Sequence, residues 1–216
     1  MRRTLAKASF HTALNLAVFA LIGTAILAFT YNQTHDRIAQ SEEAEKLKLI
    51  SQIVPKNLFD NDIIRDTLDI KPDALLGNEG ITTAYRARLQ NNPSVLVLEA
   101  VAPDGYSGKI ALLVAIRDNG EVAGVRVVAH KETPGLGDYI EIARSNWITG
   151  FDGTSLAKYK DTGWKVKKDG GQFDYMAGAT ITPRAVVKAV HKTLQYFTQH
   201  HDALFAPAEQ IKEKKL

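Results

Sequence analysis

The longest uncharged run in the chain sets the first constraint on its fold. From Ala8 to His35 there is no Asp, Glu, Lys or Arg. Inside it, TALNLAVFALIGTAILAFTY extends for twenty residues, Thr12 to Tyr31, broken only by Asn15 and a few Thr and Gly. About twenty apolar residues in a helix match the hydrocarbon thickness of a bilayer, and Tyr31 suits an interfacial position. A secretory signal has a shorter apolar core, roughly 7–15 residues, followed by a small-x-small cleavage site. LAFTYNQ supplies no such site. The run is read as a retained transmembrane helix over 12–32. Arg2, Arg3 and Lys7 precede it, and no acid occurs before Asp36. Basic residues favour the cytoplasmic side. The expected layout is a cytoplasmic basic tip at 1–11, the anchor at 12–32, a body at 33–206 and a charged tail at 207–216. In a bacterium the anchor would sit in the inner membrane, with the body in the periplasm.

Charge and cysteine content exclude several function classes. The 216 residues carry 27 Lys and Arg against 24 Asp and Glu, a net charge of +3. The three basic residues of the tip account for that excess, so the body is neutral overall. A nucleic-acid binder concentrates basic charge in its folded body, so nucleic acid is set aside. There is no cysteine. Disulfides, thiolate nucleophiles and cysteine-held iron–sulfur clusters are therefore impossible. Zero cysteine also fits an oxidising compartment.

The remainder reads as one α+β domain. DRIAQSEEAEKLKLISQIVP has a helical pattern limited by Pro55, and DNDIIRDTLDIKPDALLGNEG reads as loop. TTAYRARLQ and SVLVLEAVA read as strands joined by a turn at NNP. PDGYSGK is a second turn region. IALLVAIR and VAGVRVVAH flank Asn119-Gly120, the strongest short hairpin sign. GDYIEIARSNWI is expected to be helical. The segment from Phe151 to Met176 is turn-rich with one short strand. A last amphipathic helix is expected from Pro183 to about His200, with Val186, Val187, Val190, Leu194 and Phe197 as its apolar stripe. The expected product is a sheet of hairpins with flanking helices.

Two stretches carry candidate chemistry. HKETPGLGDY leaves a strand and enters the next element, but Ile140 stands where a dinucleotide fingerprint needs a small residue. His130, Glu132 and Thr133 still gather beside a Pro-Gly turn. The residues alone leave a plain surface turn and a ligand-approaching loop both open. The histidines form no zinc pattern and no serine lies in a GxSxG elbow, so neither a metal site nor a hydrolase is expected. FDYMAGATITPRAVVKAV is the second stretch. Thr182 and Pro183 read as an N-cap and first helical residue. That leaves Thr180 unexplained, after three small residues. Its hydroxyl would stand uncrowded beside unpaired helix N–H groups, where a phosphate is favoured.

DYMAGATITP resembles the flavinylation motif of membrane flavoproteins whose FMN is joined through its phosphate to a threonine. The motif maps onto Asp174, Gly178, Ala179 and Thr180, and Ala177 stands where Ser or Thr is frequent. With HKETPGLG, GYSGK, the single anchor and the ATITPRAVVKAV continuation, the chain is similar to the G subunit of the Rnf-type electron transport complex. That family is related to the C subunit of the sodium-pumping NADH:quinone reductase. The resemblance implies an FMN-binding domain with a twisted antiparallel sheet and flanking helices, and Thr180 as the covalent acceptor. It implies further flavin contacts from Gly178, Ala179, Ile181 and Thr182, from Glu132, Thr133, Pro134, Gly135, Leu136 and Gly137, and from Tyr106. It implies a flavin transferase using FAD and Mg²⁺ that reads Asp174. The complex would pass electrons between ferredoxin and NAD⁺, coupled to ion movement, with both of those sites on other membrane subunits. The chain would carry electrons and turn over no soluble substrate alone. The corresponding sodium-pump protein and a cofactor-free, membrane-tethered sensor or assembly module are the alternative readings.

Overall fold

Among the described residues, two α-helices and five strands form in the order α1 (Arg2–Ile53), β1 (Thr67–Ile70), β2 (Thr82–Leu89), β3 (Asn92–Gly105), β4 (Gly108–Arg117), β5 (Val122–Ala129) and α2 (Ile181–Phe205). The computed structural model describes residues 2–206, apart from the side chains of residues 2–8, 39 and 43. The expected charged tail at 207–216 lies outside the described residues. The chain divides into a unit ending at Lys46 and a unit beginning at Leu47.

The first unit is α-helix. Leu16, Phe19, Leu21, Leu27 and Phe29 are all exposed along it. A helix apolar all round belongs in a core or a membrane. α1 is long and apolar enough to cross a membrane, with an 18-residue window of mean hydropathy 2.1 that is entirely unburied.

The second unit is built on a five-stranded antiparallel sheet whose strand order follows the sequence. Its central strands carry apolar residues on both faces because both faces are covered. On one face Leu96, Leu98, Leu112, Val114 and Ile116 meet Val186, Val190 and Leu194 of α2. On the other, Val95, Val97, Leu113 and Ala115 meet Leu49, Ile50, Ile53 and Val54. Burying each such aliphatic side chain contributes about 1.5–3 kcal/mol. Gly124 permits the closest approach. A Cβ there would lie 2.7 Å from Ile53 Cγ2, which is what a glycine inside a strand commonly marks.

The expected hairpin at Asp118–Gly120 forms, with Gly120 at φ +84°. Other expectations need correction. The β2–β3 turn sits at Gln90 and Asn91, both left-handed, at φ 52° and 64°. Two left-handed central residues match the twist of the flanking strands. Asn92 and Pro93 therefore start β3, and the register shifts beside Pro93's partner Arg88, an irregularity that accommodates a missing N–H. Pro103 to Gly105 also belong to β3, leaving Tyr106 and Ser107 as the second turn. β1 forms inside the stretch read as loop. It is a four-residue edge strand paired from Thr67↔Tyr85 to Ile70↔Thr82, too short to show a period.

GDYIEIARSNWI is not one helix. It makes short 3-10 turns at Asp138–Ile140 and Asn146–Phe151. Ser145 separates them in extended conformation, its Oγ accepting from Trp147 N and donating to Tyr139 O. A serine that bonds nearby backbone competes with helix. Burial of Tyr139, Ile140, Ile148 and Phe151 favours the broken path. The following segment forms one isolated parallel bridge, Val166↔Phe173, and is held by aromatic contacts such as Phe151 stacked on Phe173 at 4.7 Å.

α2 runs from Ile181 to Phe205, beyond both expected ends. Arg88 Nη2 donates to Phe205 O at 2.9 Å and Arg86 Nη1 to Ala206 O at 2.7 Å. Asp66 pairs with both guanidiniums. Cations bonded to the last carbonyls also complement the helix dipole.

Candidate functional site

Three segments enclose a cavity of about 180 Å³, lined by Tyr106, Thr133, Leu136, Gly137 and the run Gly178–Thr182. Tyr106 comes from the β3–β4 turn, the next three from the loop after β5, and the last run leads into α2.

The entry into α2 differs from the sequence reading. Ile181 is the first helical residue, so Thr180 holds the cap position and Thr182 lies in the first turn. Thr180 has φ −79° and ψ −25°, and its side chain makes no capping bond. A capping threonine normally has extended backbone, which folds its oxygen back on the helix. Here Thr180 makes no such bond and lines the cavity. Gly178, at φ +89°, turns the chain into position, a conformation that costs a residue with a Cβ about 1–2 kcal/mol.

Thr182 is committed elsewhere. It is buried, and its Oγ1 donates to Glu132 Oε2 at 2.5 Å. Glu132 Oε1 accepts from Ser107 N at 3.0 Å. The Glu132 N–H donates to His130 Nδ1 at 2.9 Å, and His130 Nε2 stands 2.6 Å from Glu141 Oε1. An Nδ1 that accepts assigns the proton to Nε2, which donates to the Glu141 carboxylate. Leu136 and Gly137 N–H groups both donate to Thr133 O. Thr133 and Leu136 therefore face the cavity on a loop held by its own bonds.

The candidate residues thus separate into groups. Tyr106, Thr133, Leu136, Gly137, Gly178, Ala179, Thr180, Ile181 and Thr182 share the cavity. Glu132 stands behind the wall, and Pro134 and Gly135 occupy the exposed outer bend. Asp174 is exposed and pairs with Lys167 at 2.5 Å. Its carbonyl accepts from Trp147 Nε1 at 2.8 Å. Tyr139 holds the same loop by accepting from Met176 N at 3.3 Å. Burial pushes the Tyr139 phenol up to about 12. Sequence reasoning missed Ser107, Tyr139, Trp147 and Lys167. Only the adjacency of Ser107 to Tyr106 offered a hint.

No lining residue carries a charged side chain. Arg184 and Lys188 on the exposed side of α2 pair with Asp169 and Asp104. Positive potential at the cavity therefore comes from the first-turn N–H groups of α2, suited to a phosphate. Leu136, Ile181 and Tyr106 offer apolar surface for a ring. Whole-ligand pockets span about 300–1,000 Å³; at about 180 Å³ this cavity can seat part of a flavin mononucleotide and leave the rest exposed. The residues present fit that group. No imidazole or carboxylate bonds the Thr180 hydroxyl among the described residues, so the site offers no base to activate it.

Comparison with known proteins bears on the whole chain. The profile of the FMN-binding domain family matches residues 105–195, and that of the RnfG N-terminal region matches residues 1–53. The G subunit of the ion-translocating oxidoreductase complex of Pseudomonas aeruginosa (strain UCBPP-PA14) is 47% identical over 203 residues, 94% of this chain and 95% of that protein. The protein of the same name from Vibrio cholerae (strain M66-2) is 46% identical over 189 residues, 88% of this chain and 90% of its own. That of Shewanella oneidensis is 45% identical over 191 residues, again 88% and 90%. Helix, cavity and likeness agree, and the chain belongs to the G-subunit family of ion-translocating oxidoreductase complexes.

Proposed function

We propose that this chain carries FMN joined through its phosphate to Thr180 and uses it to relay electrons inside a membrane-bound, ion-translocating complex. Membership of the family and an FMN-binding domain make it a flavoprotein electron-relay subunit. Bound FMN supplies the redox chemistry. The protein supplies attachment, orientation and a defined environment. One observation carries the covalent reading: Thr180 occupies a helix cap position without capping, and it lines the cavity. The α2 N–H groups would hold the phosphate, and Leu136, Ile181 and Tyr106 would lie against the ring. A tether also replaces scarce free cofactor by an effective concentration of order mM.

Attachment needs help, because a threonine hydroxyl without a base is a poor nucleophile. A transferase using FAD and Mg²⁺ would recognise Asp174, exposed on the acceptor loop. Electrons would enter from and leave to neighbouring membrane subunits that hold the ferredoxin and NAD⁺ sites. Residues 12–32 would cross the inner membrane with the basic tip inside, and the body from 33 would stand in the periplasm. Full-length protein from cells with the transferase should give a fluorescent band on a denaturing gel under ultraviolet light. Thr180→Val should abolish that band. A dark wild-type band would instead support a cofactor-free module.

A further inference from the structure

We propose that Glu132 is a positioning residue: its carboxylate ties the β3–β4 turn to the start of α2, and its fixed negative charge lowers the reduction potential of a flavin at this cavity. The proposal rests on the flavoprotein reading above. Each of the three walls contributes lining residues, yet Glu132 lines none of the cavity. It is 4% exposed. Its backbone belongs to the loop after β5, one oxygen accepts from Ser107 N at 3.0 Å, and the other accepts from Thr182 Oγ1 at 2.5 Å. One buried side chain therefore fixes the separation of all three walls.

Two glycines make the slot. A Cβ on Gly105 would lie 2.9 Å from Glu132 Oε1, and one on Gly137 would lie 3.0 Å from Glu132 Cβ and 3.1 Å from Oε2. Most charged side chains of this region pair elsewhere: His130 with Glu141, Arg144 with Asp138, Arg184 with Asp169, and Lys188 with Asp104, while the adjacent Lys131 is exposed to solvent. Glu132 accepts from a backbone N–H and a hydroxyl, neither of which carries a charge. The carboxylate charge stands one side chain behind the wall, where screening by water is weak. Adding electrons beside a fixed negative charge is disfavoured, so the potential falls.

Glu132→Gln separates charge from position. The amide oxygen can keep the Ser107 bond, and the Thr182 hydroxyl can turn to accept from the amide nitrogen. In flavin-loaded, full-length protein this variant should load as wild type while its reduction equilibrium constant rises about tenfold, close to 30 mV for a two-electron couple. Thr182→Val keeps the shape and removes the tie. In full-length, flavin-free protein from cells lacking the transferase, amide exchange at Ser107 and over 133–137 should quicken about tenfold. Loaded Glu132→Gln with the wild-type midpoint, or Thr182→Val with unchanged exchange, overturns the proposal. If Glu132→Gln does not fold, the exchange comparison decides the tie. A wild type that never acquires flavin overturns the covalent reading instead, and that same comparison still tests the positioning role.

Discussion

The two walls that face each other across the cavity are built in opposite ways. The loop from His130 to Glu141 is bonded to itself and its neighbours: Glu132 N to His130, His130 to Glu141, and two N–H groups to Thr133 O. The loop from Asp174 to Thr180 has one internal backbone bond, Ala179 N to Met176 O at 3.1 Å. It leans on Trp147 and Tyr139 from outside. Tyr175, Met176, Ala177 and Gly178 are exposed. Segments with few buried contacts open at low free-energy cost. The difference fits a division of labour in which one wall is prebuilt to receive a ligand. The other stays open to solvent.

The largest expected effect tests that accessibility. Asp174→Asn should remove most flavin loading in the ultraviolet gel assay while thermal stability stays within about 0.5 kcal/mol of wild type, as expected for an exposed site. A folded variant that loads normally would end the recognition role of Asp174. Next comes the prebuilt wall. Gly137→Ala places a Cβ 3.0 Å from Glu132 Cβ and should cost about 1–3 kcal/mol by overpacking, read as a lower melting temperature. Gly178→Ala meets only Leu136 Cδ1, at 3.7 Å. Its cost should be about 1–2 kcal/mol, from the left-handed backbone alone. A larger cost at Gly178 than at Gly137 would break the comparison.

Tyr139 joins the two walls and gives a pH test. Its phenol is raised to about 12 when folded, against about 10 in an unfolded chain. A raised acid leaves the folded state protonated while the unfolded state ionises. Its stabilising contribution is therefore complete below pH 10 and is lost as pH rises from about 10 towards 12. Tyr139→Phe should flatten that alkaline decline and cost about 0.5–1.5 kcal/mol at neutral pH, through the lost bond to Met176 N. The smallest effect belongs to Lys167→Ala. Its ion pair with Asp174 is exposed at both ends, so stability should change by less than about 0.5 kcal/mol in a denaturant titration.

Legibility in the sequence followed the range of the interaction involved. The β4–β5 hairpin was readable because Asn119-Gly120 supplies its own turn chemistry. The α2 stripe of Val186, Val190 and Leu194 was readable because a helical period needs only neighbours. β1 was not, because four residues become a strand only when β2 is there to pair with them. The helix expected at 137–148 broke because Ser145 found local partners while Ile140 and Ile148 found the core. Thr180 stood out as the unexplained threonine, yet the reason its hydroxyl is left over was hidden. Thr182 had the chemistry of a cap and was diverted to Glu132, fifty residues away in the chain.

The sequence by itself determined the uncharged helix, the order of the hairpins, the amphipathic last helix and a threonine set among small residues before it. Each follows from composition or period within a few turns of chain. Only the tertiary structure decided which threonine takes the cap position of α2, that Glu132 stands behind the cavity wall instead of lining it, and where α2 ends. Those outcomes depend on hydrogen-bond partners and burial supplied by distant segments. A local pattern names donors and acceptors without saying which of them will meet.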